Sequence, residues 1–324
     1  MSFLNPYYLQ VAMFALINAI AAISVFIVLQ SGQVSLGSAG FMSIGAYTSA
    51  ILTMNYNVPM FLSILIGAIV AAVVSLIIGV PTTKLSGLYL TIATIGFSEV
   101  VRVLFLNLEI TNGALGLSGI PSLGQEVTNL LAGWGLLNTG IQYNQLQSLV
   151  QIVIVALIMA VIVYLWLNLE QSKIGRAFLA VKADNHAAEL AGINVAKYKL
   201  TSFVLSAFVA GVAGALFAHA TNFINPGDFD FSLSVDNLLC VVFGGSDVIW
   251  GPILGSIVLT ALPEMLRFMA EWRDMIYGIL LVLLLIFRTD GIITVDMVRR
   301  LRAKRQAGKT PDYVTANQKD KEGA

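Results

Sequence analysis

The sequence predicts an all-α polytopic membrane protein with about nine transmembrane helices. Three observations carry this. Of 324 residues, 57% are hydrophobic and only 11% are charged, against about 25% charged in soluble domains. From Met1 to Thr83 there is no charged side chain, and Lys84 is the first. Apolar runs close to the ~20 residues needed to cross a bilayer recur along the chain. No soluble domain could build a solvated surface from such a segment. A soluble enzyme, a nucleic-acid binder and a disordered chain are excluded on that ground.

The expected spans are 8–29, 36–54, 59–80, 86–107, 146–168, 198–221, 233–245, 251–269 and 274–288. The first follows a start without the positive n-region of a cleaved leader, so it is read as a retained span. The second is rich in Gly and Ser. The third and sixth carry small residues every fourth position: Ser63, Gly67, Ala71 and Ser75, then Ala207, Gly211 and Ala215 beside Ala210, Gly214 and Ala218. Such stripes let helix backbones approach closely. The seventh, 233–245, is short, as a half-helix or re-entrant segment buried in protein would be.

Charge orients the chain. Residues 170–200 carry Lys173, Arg176, Lys182, Lys197 and Lys199, and 288–324 carry nine more basic side chains. These two segments should be cytoplasmic. Stretches 108–145 and 222–232 hold acids but no basic residue, and should face outward. The N-terminus is then outside and the C-terminus cytoplasmic. Two units are expected: a transmembrane domain, 1–291, with a cytoplasmic loop at 169–197, and a basic, partly disordered tail, 292–324. The tail's Arg299, Arg300, Arg302, Lys304 and Arg305 suit anionic headgroups.

Few residues can carry chemistry. One cysteine, Cys240, excludes an internal disulfide, and His186 and His219 lie far apart in sequence. No catalytic, metal or cofactor site is expected. In the cytoplasmic loop, Asp184 to Ile193 reads as a short helix, capped by Asp184 or Asn185 and ended by Gly192. Ala187, Ala188 and Ala191 would share a face fit for a groove on another protein; a solvated connecting helix is the plainer reading. Ionisable residues inside spans are functional candidates. Glu99 and Arg102, and Glu264 and Arg267, are spaced for ion pairs on one helix face. Asp236 has no local partner in sequence; it suits a polar contact in a translocation path, or a helix cap. Asn112, Gly113, Gly116 and Gly119 mark turns with positive φ in the outer loop.

Read in order, the motifs resemble a known family. They include Ser35-Leu36-Gly37, Gly45-Ala46-Tyr47, Leu85 to Thr94, Glu99-Val100-Val101-Arg102 and Thr111-Asn112-Gly113. Gly116 to Pro121, Ser172 to Ala177, Gly244-Gly245, Trp250-Gly251-Pro252 and Leu262-Pro263-Glu264 follow. From about residue 15 to 291 the chain is similar to the permease subunit of branched-chain amino-acid ABC importers of bacterial cytoplasmic membranes. The resemblance implies a second homologous permease, two ATP-binding subunits, an extracytoplasmic solute-binding protein, and a pore between the permeases. It implies that residues 169–197 carry a coupling helix of the form E-A-A-x-x-x-G. Ala187, Ala188 and Gly192 match that pattern, Glu189 lies within it, and His186 stands where the Glu would be. The outer loop would lie where the binding protein docks. No G-x-x-x-x-G-K-[ST] occurs, so the ATPase must be a separate chain. Branched-chain amino acids lead as substrate, with other amino acids or urea and amides as alternatives. A self-sufficient ion-coupled transporter is the competing class; it would need unpaired intramembrane acids, for which Asp236 is the one good candidate.

Overall fold

In a computed structural model, residues 6–85, 87–133 and 143–266 are described, with a few positions between 275 and 282. The first eight expected spans each have a helix: α1 Pro6–Leu29, α2 Ser38–Tyr56, α3 Met60–Thr82, α4 Leu88–Asn107, α6 Tyr143–Gln171, α9 Val195–Thr221, α10 Phe231–Gly244 and α11 Trp250–Met265. The ninth span, 274–288, and the tail lie outside the described residues. The described chain is therefore an all-α polytopic membrane protein. Among the described residues, α1, α3, α4, α6 and α9 are long and apolar enough to cross a membrane. The second span, α2, is not among them. Its Ser, Gly, Thr and Asn lower its hydropathy, which is tolerable because protein surrounds most of it.

Three further helices lie outside the span pattern. The stretch expected to face outward, 108–145, contains α5, Leu123–Gly133. The loop expected at 169–197 holds a helix pair, α7 Lys173–Ala183 and α8 Asn185–Leu190. Of the three, α8 is the short helix expected at 184–193, while α5 and α7 were not foreseen. Ser172 starts α7 by accepting from the Ile174 amide at 3.1 Å, and one apolar face, Ala177, Phe178 and Val181, turns inward.

The core forms where α9 packs against α1, α2 and α3. Its small-residue stripes sit in those contacts, all buried. At one crossing three glycines meet. A Cβ on Gly45 of α2 would strike the Gly211 backbone, one on Gly67 of α3 would strike Gly45, and one on Gly211 would press on Ala68 and Ala71. Lipid gives helices no hydrophobic reason to associate, so this close van der Waals fit is what holds them. The pair α10 and α11 packs on α1, and α6 lies along α1.

Residues 33–37 enter the bundle without helical structure. Backbone polar groups at membrane depth need partners, and α4 supplies them. Thr94 Oγ1 accepts from the Leu36 amide at 3.1 Å, and Thr91 Oγ1 donates to the Val34 carbonyl at 3.1 Å. Ser98 Oγ donates to the Leu36 carbonyl at 3.4 Å. The second span thus begins at Ser38, not 36.

Candidate functional site

Long-range contacts define the two ends of the bundle. At the basic end, Gln30 Nε2 donates to the Ser246 carbonyl at 2.7 Å, and Lys182 pairs with Asp247 at 3.0 Å. These contacts tie α1, α7 and the α10–α11 turn together. Here α7 and α8 form a small platform. Trp166 stacks on Phe178 at 6.4 Å, and Phe178 meets the edge of Tyr198 at 6.2 Å.

The cap of α8 is Asp184, whose carboxylate accepts from the amides of His186 at 2.8 Å and Ala187 at 3.1 Å. Those amides, Ala187 first, hold the Asp184 carboxyl below its ordinary range. A depressed carboxylate contributes stability above its unfolded pKa and loses it as pH falls through the folded value. Gly192, at φ +81°, closes the turn after α8. The expected face needs correction. Ala188 is buried against Val181 and Val195, because α8 lies back on its own bundle. The outward surface is His186, Ala187, Glu189, Leu190 and Ala191, with Gly192 beyond. Leu190 is 91% exposed at its apex. Sequence reasoning passed over Leu190; its signal was a leucine alone in a polar loop.

At the opposite end, the loop expected to face outward is a built structure. Asn112, Gly113, Gly116 and Gly119 all have positive φ. Leu117–Ser118 pairs antiparallel with Phe223–Ile224, a two-residue ribbon too short to read in sequence. Gly116 is required there, since a Cβ would strike the Ile224 carbonyl. His219, fully buried, links this loop to the core: one ring nitrogen is 3.0 Å from the Pro121 carbonyl, the other 2.8 Å from Ser49 Oγ. A carbonyl only accepts, so Nδ1 carries the proton and Nε2 accepts from Ser49. Replacing His219 with Phe would leave the Ser49 hydroxyl buried and without this partner, at about 1–3 kcal/mol, and would remove the bond to the half-buried Pro121 carbonyl. The expected result is a lower melting temperature of the detergent-purified protein; an unchanged one would show the link carries no load.

Between the ends, Glu99 and Arg102 form the expected ion pair on α4, with Arg102 Nε 3.0 and 3.1 Å from the two carboxylate oxygens. Asp236 does not cap its helix. Asp230 does, accepting from the Leu233 amide at 3.1 Å, while Asp236 lies exposed on α10. Its neighbours Ser234 and Asn237 turn inward to the start of α2. Glu264 sits in the last turn of α11 after Pro263. Arg267 lies outside the described residues, so the second expected pair is not described. The structure does not gather these charged groups into one centre. The groups on α4 and α10 share a region; Glu264 is on another helix.

Residues 7–285 match the family described as the permease component of branched-chain amino acid transport systems. The chain is 36% identical over 289 residues to the high-affinity branched-chain amino acid transport system permease protein LivM of Escherichia coli K12, covering 86% of this chain and 68% of that one. The LivM protein of Salmonella typhimurium is 35% identical over 272 residues, covering 81% and 64%. The chain thus spans about two thirds of the length of these two relatives. The autoinducer 2 import system permease protein LsrC of E. coli is 26% identical over 332 residues, covering 94% and 86%. No solved structure matches. With a matched segment running through nearly every described helix, the chain belongs to the family of permease components of branched-chain amino acid transport systems.

Proposed function

We propose that this chain is one permease half of an ATP-driven importer, carrying branched-chain or related apolar amino acids across a bacterial-type cytoplasmic membrane. The observation that carries the reading is the family match over residues 7–285. It works with a second homologous permease, two ATP-binding subunits and an extracytoplasmic solute-binding protein. The chain breaks no covalent bond. It offers a path whose affinity differs between outward and inward states. The basic end is cytoplasmic by the distribution of Lys and Arg, and so is the tail, 292–324. There the α7–α8 platform meets an ATPase subunit, with Leu190 seated in a groove of that partner. Lys182–Asp247 passes the displacement on to the α10–α11 turn. At the outer face, the ribbon and its glycine turns meet the binding protein.

Similarity to an autoinducer 2 import permease favours a second reading, in which the same machine carries another small solute. One experiment addresses both. The five-component complex, reconstituted in proteoliposomes, is expected to take up leucine, isoleucine or valine only when ATP and binding protein are present. Uptake of a different solute alone would support the second reading. Accumulation by this chain by itself, driven by an ion gradient, would overturn both.

A further inference from the structure

Among the described residues, three membrane-length helices are poorly covered by the rest of the chain: α3, α4 and α6. The outer faces of α3 and α6 are what lipid requires, for example Leu65, Ile69 and Val73, then Val153, Leu157 and Val161. The face of α4 is different. It exposes Val100, Val103 and Leu104, but also Glu99 and Arg102. Glu99 lies about 16 Å from one end of α4 and about 12 Å from the other, at the helical rise. Charges at mid-membrane face protein or water, not lipid.

The pair is open on one side. Glu99 is 50% exposed and Arg102 29%. Arg102 gives Nε and Nη2 to Glu99, and its Nη1 makes no hydrogen bond among the described residues. Beside the pair lies an open, shallow depression of about 610 Å³ along α4 itself, lined by Gly96, Glu99, Val100, Val103, Leu104 and Asn107 with the C-cap Leu108. Apart from Glu99 and Asn107 it is apolar. The turn before α10 packs on α4, and Asp230 lies within electrostatic reach of both Glu99 and Arg102. Asp236 is the next acid along α10. With Glu99 and Asp230 to one guanidinium, the surroundings of the pair are net acidic.

We propose that this face of α4 is a transient site for an apolar α-amino-acid zwitterion, with Glu99 holding the ammonium, Arg102 the carboxylate, and Val100, Val103 and Leu104 the side chain. This rests on the importer reading above. An i,i+3 Glu–Arg pair presents opposite charges a few ångströms apart, as a zwitterion does. The two dipoles exchange partners, so no charge is left bare as the solute arrives or leaves. Such a site holds its ligand weakly, because closing the Glu99–Arg102 pair competes with it. Weak retention suits a path.

The test uses the reconstituted complex. The double variant Glu99→Gln with Arg102→Gln removes both charges together and leaves neither unpaired. A merely structural pair tolerates that change; a zwitterion site does not. The expected result is a complex that co-purifies intact but takes up amino acid at least tenfold more slowly. Uptake within twofold of the parent overturns the site. If the double variant fails to assemble, Gly96→Cys decides, since Gly96 lines the same depression, has open space for a side chain and holds no part of the zwitterion. In the working complex, a membrane-impermeant cationic thiol reagent should modify it, and leucine under turnover should slow the reaction at least threefold. No modification, as on a lipid face, or modification indifferent to leucine, overturns the proposal. Buried Cys240 leaves little background from this chain. A parent complex that takes up no amino acid counts against the importer reading instead, while the thiol still reports whether α4 faces water.

Discussion

Gly211→Leu is expected to remove the protein from the membrane. At that position α9 lies against α2 and α3, and the added side chain has nowhere to go. The glycine Cα is already in contact with the Gly45 site, and a Cβ would press on Ala68 and Ala71. Overpacking a soluble core costs about 1–3 kcal/mol per site. Here the clash is with backbone, which cannot rotate away, and three helices must part together. Loss of several contacts at once exceeds the 5–15 kcal/mol margin of a folded domain more readily than any surface change. The measurement is the amount of full-length chain in membranes and its melting temperature after extraction. Gly211→Ala should show a milder form of the same loss, and Gly96→Ala on the exposed α4 face, where nothing lies within 4 Å, should show none. Equal levels of all three would mean the three-helix crossing is not where the bundle is held.

Leu190→Asp is expected to lower ATP-driven uptake at least tenfold while the chain reaches the membrane in normal amount. Leu190 is 91% exposed and has little packing to lose. A lone leucine at the apex of a capped helix is therefore a contact for something else. Fully burying a leucine side chain is worth about 1.5–3 kcal/mol, or roughly ten- to a hundredfold in affinity. Ala188→Asp should behave differently. That residue faces Val181 and Val195, so a carboxylate there is buried and unpaired. It should unseat α8 and lower both uptake and protein level. Membrane levels by immunoblot beside leucine uptake separate the two cases. Normal uptake with Leu190→Asp would remove α8 from the coupling path.

The spans were legible because lipid imposes a one-dimensional rule. A crossing helix must be long and apolar, and both properties add along the chain. The first eight spans are recovered to within a few residues. Capping was legible for the same reason, since Asp184 and Gly192 act on their own neighbours. What escaped were amphipathic helices outside the span pattern, α5 and α7. Their apolar face is narrow and their length too short for a membrane rule to detect. The ribbon joining residues 117–118 to 223–224 escaped as well, because it depends on two segments a hundred residues apart in sequence.

The sites divide along the same line. Glu99 and Arg102 could be paired from their spacing alone, because i and i+3 share a helix face whatever surrounds them. Whether that face met lipid, protein or water could not. Asp236 and Asp230 differ in role for the same reason: only the true start of α10 decides which acid caps it.

By itself the sequence determined the membrane setting, the order of the helices, the charged loops at the basic end, and the family. Each follows from properties that a residue carries without its neighbours. The tertiary structure alone decided which way each helix is turned. It buried Ala188 and exposed Leu190. It drew three glycines into one crossing, and it left the charged face of α4 uncovered. Rotation about a helix axis is set by packing against partners distant in sequence, and no local pattern records it.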